Sequence, residues 1–471
     1  MKSVFWKNYI FCAFVSSALP VVATTVDIAP DGMLVINGKR TFLLGLYENL
    51  QDDDSLHAVK TAGFMLTHVQ GKREELDRLE KHGMYGWVNT GSAIDLSKDR
   101  AAREIQLKNM VAELGDHPAL LVWEVPDEAL WNVWYACMTF AEKEKKAVLQ
   151  RIRETQDESE KANLRGLLDK ADSYRQEGDY QNWEKTRATL REQCGLPPLS
   201  EEVLLSTAQD RSETLAAGML EGYHYLKKLD PNHPVWMNHA PRNSIEQLAL
   251  FGKAADIVGC DIYPVPSQRT GHSDLADTSL SAVGAYTLRM RLSAPNKPVW
   301  MVLQGFGWAD LDPTADVKKR EEQRRPTKNE SRFMAYDAIV RGARGILYWG
   351  TSQIEKNSAL WNDLLDLAKE LAQLQPVLSA PNSTLPLNIS IDPTWGSVDR
   401  SVVILPKEVD GRVWLLVVNE WREPLWFTVS GFQTHDKKAF VDVQTGKEYQ
   451  IEDGKIRLSL RGNGVKILQS K

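Results

Sequence analysis

Asp127 and Glu128 stand side by side directly after an apolar run, Leu120-Leu121-Val122-Trp123-Glu124-Val125-Pro126, which itself carries a third carboxylate. Adjacent acids at the rigid end of a buried strand suit general acid/base work on a glycosidic bond. The competing reading is structural, because Asp is a good N-cap and Glu belongs in a first helical turn. Both readings require a strand that ends near Val125 and a helix that begins soon after Glu128.

Polar and aromatic residues recur after the other apolar segments. Glu48, Gln70 and Asn89 follow the first three, and Asn238-His239 the fifth. Asp261 and Tyr263 follow the sixth, Gln304 and Trp308 the seventh, and Trp349 the eighth. Tyr and Trp are what a sugar site needs, since pyranose faces are apolar and stack on rings. The candidate site is therefore Asp127 and Glu128 for catalysis. Glu48, Asn238, His239, Asp261, Tyr263, Gln304, Trp308 and Trp349 are the candidates for substrate binding. No Cys/His spacing resembles a metal site, and the pattern calls for no cofactor.

The elements that must position these residues alternate along the chain. Strands are expected at 42–46, 64–69, 85–89, 120–125, 235–238, 257–260, 299–303 and 345–348, most of them short and apolar without alternation, as in strands buried on both faces. Amphipathic helices are expected between them, for example at 73–82, 101–114 and 215–229. Eight such units predict a (β/α)₈ TIM barrel over 24–376, with chemistry at the strand ends. No Gly-rich phosphate loop follows any strand, which argues against a dinucleotide-binding sheet. The unit after the fourth strand is oversized. Residues 131–211 are rich in Lys, Glu, Arg and Gln and are expected to form an inserted helical hairpin beside the barrel mouth. From 377 to 471 the pattern changes to alternating strands punctuated by Asp410-Gly411, Thr445-Gly446 and Asp453-Gly454, predicting an all-β sandwich. The basic run at 309–328 reads as a solvated loop, with an anionic-sugar subsite as the alternative.

Composition bounds the function. Of 471 residues, 43% are hydrophobic and 25% charged, ordinary for a globular protein. Lys2 and Lys7, an apolar stretch and a small-residue site near Ala23 predict a signal peptide over 1–23, hence a secreted or periplasmic protein with no membrane span after cleavage. Losing both lysines takes the formal charge from −6 to −8, which excludes an electrostatic footprint for nucleic acid. Cys137 and Cys194 bracket the insertion and can pair in an oxidising compartment, whereas Cys260 lies in an apolar strand. No pattern in the sequence encodes an oligomeric state.

Four segments resemble the retaining glycoside hydrolases of clan A: 121–128 (LVWEVPDE), 261–264 (DIYP), 297–307 (KPVWMVLQGFG) and 342–349 (GARGILYW). The resemblance covers roughly 30–375 without the insertion. In that superfamily the fourth strand ends Asn-Glu, which implies the acid/base role for Glu128 and puts Asp127 at the Asn position. The seventh strand ends in the nucleophilic Glu, matched here by Gln304. An amide cannot form the glycosyl-enzyme ester. Three readings are then open. The protein can be a hydrolase with a displaced second carboxylate, for which Asp261, Glu48 and Glu124 are candidates. Asp127-Glu128 can instead act like the Asp-Glu pair of β-hexosaminidases, where the substrate's 2-acetamido group is the nucleophile. The third reading is a catalytically impaired barrel that binds carbohydrate without hydrolysis. The expected function is a secreted glycosidase of polysaccharide degradation, with Glu128 as general acid and a carbohydrate as its partner.

Overall fold

A computed structural model describes residues 24–267, 277–393, 398–433 and 438–471; the leader expected over 1–23 lies outside the described residues. Eight parallel strands close into a barrel: β1 (Leu43–Leu46), β2 (Leu66–Val69), β3 (Tyr85–Asn89), β4 (Leu120–Glu124), β5 (Val235–His239), β6 (Ile257–Ile262), β7 (Val299–Gln304) and β8 (Gly345–Trp349). Closure is by β8 on β1, with Tyr348 opposite Leu46. The eight strands are followed in turn by helices that pack around them, the expected TIM barrel.

Side chains alternate across each strand, so residues two apart share a face. The inner face carries Leu43, Leu66, Trp87, Val122, Trp236, Ile257, Trp300, Val302 and Leu347 in one buried cluster. Three of its indoles form a contiguous layer: Trp87 lies 5.5 Å from Trp236, which lies 5.3 Å from Trp300. Room for Trp300 comes from Gly345, where an added Cβ would sit 2.7 Å from the indole. An antiparallel lead-in (Val26–Ile28, Leu34–Ile36 and Lys39–Thr41) contributes Val26, Leu34 and Ile36 to the same cluster and so seals the N-terminal end. Chemistry is confined to the opposite end.

The insertion holds three helices rather than a hairpin: Ala129–Glu154, Glu158–Glu177 and Tyr180–Gln193. Asp157 and Asp179 cap the second and third by accepting from the backbone amides of Glu160 and Asn182. Val148, Ile152, Leu164, Leu168 and Leu190 make its own small core. A buried Glu144 takes Arg187 at 2.7 Å and Arg191 at 2.6 Å, tying the first helix to the third. Cys137 and Cys194 do not pair; both are free thiols, and Arg211 donates to Cys137 Sγ at 3.2 Å.

The C-terminal region is two packed antiparallel sheets. One holds Asn388–Ile391, Leu425–Ser430 and Lys455–Leu460; the other holds Val402–Val409, Arg412–Asn419, Val465–Ser470, Ala439–Asp442 and Glu448–Gln450. Leu415, Val417, Phe427, Val429, Phe440 and Leu458 fill the space between them. Arg341, after the helix that follows β7, pairs with Glu420 (Nε 2.6 Å), and Ser281 Oγ donates to the Glu420 carbonyl at 3.1 Å, fastening the sandwich to the barrel. The basic run near 309–328 is largely neutralised: Arg325 makes a bidentate pair with Asp310 (2.8 Å each) and Arg324 with Glu330 (2.7 Å each). Among the described residues no helix is long and apolar enough to cross a membrane.

Candidate active site

Glu124 ends β4 with its side chain on the inner face, above the tryptophan layer. Its Oε2 accepts from Asn89 Nδ2 at 2.8 Å and from Trp87 Nε1 at 3.2 Å, and its Oε1 accepts from the Tyr47 hydroxyl. Strands β1, β3 and β4 thus converge on one carboxyl. Burial, reinforced by the nearby Asp127 charge, pushes its pKa up to about 8 against the pull of its three donors.

The chain then turns outward. Val125 N–H donates to the Trp236 carbonyl at 3.0 Å and Glu128 N–H to the Asn238 carbonyl at 3.2 Å, so β5 fixes the whole rim segment. Glu128 occupies the N-cap position of Ala129–Glu154, but its side chain makes no capping bond. Its φ of 50° is left-handed, a conformation costing a non-glycine residue about 1–2 kcal/mol. This backbone aims the carboxyl across the barrel mouth, where it hydrogen-bonds Asp261. The capping alternative for Glu128 is therefore not what the side chain does.

Burial and the charges of Glu128 and Asp127 push Asp261 well above the usual carboxylate range; burial also raises Glu128, opposed by Asp261 and the Arg242 charge. Two hydrogen-bonded carboxyls in a desolvated cleft hold one proton between them and titrate as a pair. Asp127 Oδ1 accepts from Asn238 Nδ2 at 2.9 Å, and the same amide lies 3.5 Å from Asp261 Oδ1. Asp127 is the most solvent-exposed of the four acids, yet protein surrounds its carboxyl within the cleft, and desolvation with the Glu128 charge raises it to about 6.

Tyr263 hydrogen-bonds Asp261 and stacks on Trp349, with ring centroids 5.5 Å apart and planes at 23°. Phe306 and Trp308 close against Tyr263 at 5.3 and 6.2 Å. Trp308 and Trp349 stay half-buried, packed around Tyr263 and Phe306.

Of the expected substrate contacts, one is buried away from the cleft and two are engaged elsewhere. His239 follows Asn238 directly and faces the opposite way; it is 1% exposed, neither ring nitrogen has a hydrogen-bond partner among the described residues, and burial lowers its pKa to about 4. Glu48 is held by Lys356 Nζ (2.6 Å) and Thr351 Oγ1 (2.7 Å), which neutralises it as a second catalytic carboxylate. Gln304 is fully buried, accepts from Val265 N–H (2.9 Å) and donates to the carbonyls of Val265 (2.8 Å) and Phe306 (3.0 Å). Its amide braces backbone and has no donor left for a sugar.

Tyr47, Trp87 and Arg242 join the site without having been singled out in the sequence. Tyr47 and Trp87 were readable by parity, since each falls on the inner face of its strand; Arg242 follows β5 and reaches Glu128 only through the fold. Asp77, Glu80 and His117 lie close enough together to suggest a cation site. His117 Nδ1 accepts from Ala119 N–H at 3.0 Å, so Nε2 carries the hydrogen that faces Asp77 and offers no lone pair.

The raised carboxyls set a stability trend. Folded Glu124 and Asp127 keep protons that the unfolded chain releases near its ordinary carboxylate values, so stability present at low pH is lost as pH rises through about 6 and then 8. Urea midpoints are expected to fall between pH 5 and pH 8, and Glu124→Gln to flatten that fall. Equal losses in both proteins would refute the assignment.

No family model matches the sequence, and no curated protein matches it. Solved structures do. A β-galactosidase from Bacillus circulans sp. alkalophilus aligns at 12% identity and TM-score 0.50 over 92% of this chain and 99% of that one. A glycoside hydrolase family 5 protein from Bacteroides vulgatus aligns at 12% identity and TM-score 0.52 over 95% and 93%. Gan42B, a GH42 β-galactosidase from G. stearothermophilus, aligns at 10% identity and TM-score 0.51 over 95% and 99%. At such identities the likeness is one of fold, and the fold of this chain is the one these glycoside hydrolases share.

Proposed function

We propose that the chain is a secreted glycoside hydrolase that cleaves O-glycosidic bonds of a poly- or oligosaccharide, with Glu128 as proton donor. One observation carries the reading: the Glu128 and Asp261 carboxyls meet at the barrel mouth and burial raises both, with Tyr263 on Asp261 and stacked on Trp349. A leaving alkoxide needs a proton, and burial, which raises Glu128, moves that acid in the direction that supplies one.

The second step is narrowed by geometry. Retaining enzymes separate their carboxyls by about 5–5.5 Å and inverting ones by about 6.5–9.5 Å, whereas Glu128 and Asp261 are in hydrogen-bond contact. Gln304 and Glu48 are engaged elsewhere. Asp127, adjacent to the acid and steadied by Asn238, is suited to orient a 2-acetamido group that attacks the anomeric carbon itself. The alternative, a barrel that binds glycans without cutting them, is the second reading and is not the favoured one.

The test is product release from a panel of polysaccharides and aryl glycosides, including 2-acetamido sugars, by the wild type and Asp127→Asn. Release confined to 2-acetamido substrates and lost in Asp127→Asn supports substrate assistance. Release from other sugars rejects that mechanism, and binding without release from any substrate supports the second reading.

A further inference from the structure

Helix Ala129–Glu154 starts directly after the proposed acid, so its first turns lead away from the barrel rim at Glu128. Trp131, Tyr135 and Met138 recur at i, i+4 and i+7 and therefore share one flank of that helix. The Trp131 and Tyr135 rings are stacked, 5.6 Å apart with planes at 29°. The Arg242 guanidinium lies 3.9 Å from the Trp131 ring centre and its charge also acts on Glu128, which anchors this flank to the catalytic end of the cleft. Tyr135 and Met138 are 49% and 43% exposed, while the same helix buries Leu130, Cys137, Ala141 and Val148 on another face. Among the described residues, neither Tyr135 nor Met138 belongs to a buried apolar cluster.

We infer that Trp131, Tyr135 and Met138 form a platform for the leaving-group side of a glycan chain, so that the substrate is an oligo- or polysaccharide gripped beyond the bond that is cut. The inference rests on the hydrolase reading of Glu128. An acid that protonates the leaving oxygen lies by definition on the leaving-group side, and the helix that continues from it borders the sugars on that side. Seven residues of helix span about 10 Å, room for more than one sugar ring. Exposed aromatic faces stack on the apolar faces of pyranoses, and continuity with the acid selects a glycan over other occupants.

The experiment compares Tyr135→Ala with wild type on an aryl monoglycoside, which places no sugar on the platform, and on oligosaccharides of the same sugar of increasing length. The ratio of kcat/KM on long oligosaccharides to that on the aryl glycoside is expected to fall about tenfold in Tyr135→Ala and to survive in Tyr135→Phe. An unchanged ratio overturns the platform while leaving Glu128-dependent hydrolysis intact. If the wild type releases no product, the hydrolase reading fails separately, and calorimetric binding of the same oligosaccharides decides: about tenfold weaker binding by Tyr135→Ala supports the platform, and equal binding overturns it.

Discussion

Glu128→Gln is expected to lower turnover by about 10²–10⁴-fold while leaving the unfolding midpoint unchanged or slightly higher. The amide retains the shape of the side chain and a hydrogen bond toward Asp261, and it removes one acid from a crowded, desolvated group. Stability therefore has little to lose, whereas the transferable proton is gone. The pH profile gives an independent readout. Asp127, raised to about 6, must ionise to orient a substrate, so activity should climb through that pH. The alkaline limb should mark loss of the proton held by Glu128 and Asp261. Turnover by Glu128→Gln at the wild-type rate, measured on whichever glycoside the panel identifies, would end the assignment.

Gln304→Glu, which puts a carboxyl at the end of β7, is expected to destabilise the protein by about 2–5 kcal/mol and to create no retaining activity. The wild-type amide donates to two carbonyls, those of Val265 and Phe306, from a fully buried position. A carboxylate there would set negative oxygen against both. A protonated acid could satisfy only one, at the expense of holding a proton near neutrality. The deficit in urea unfolding should consequently be larger at pH 8 than at pH 5. A variant of normal stability that turns over with retention would show that the amide is not a brace and that β7 remains open to substrate.

Much of the fold was legible because strands buried on both faces lack polar residues and stand out as short apolar runs. Alternation gave away the C-terminal sandwich for the complementary reason, since strands such as Leu425–Ser430 and Lys455–Leu460 have one wet face. The carboxyl pair at 127–128 was legible because two acids closing an apolar strand conflict with burial unless something uses them. The third insertion helix was not: most of its residues are polar or charged, and the contacts that stabilise it, Arg187 and Arg191 on Glu144, reach back to the first helix of the insertion.

Residue types at the strand ends were thus set out by the sequence alone, including Gln304 at the end of β7. Which of those residues meet was decided only by tertiary structure. Asn238 and His239 are neighbours of similar polarity, yet one reaches Asp127 and the other is turned into the packing between strand and helices. Glu124, Tyr47, Trp87 and Asn89 come from three strands, and Glu128 finds Asp261 across two more. A period of two tells which residues share a face, but barrel closure and register fix which face is inside and which side chains lie at the same height.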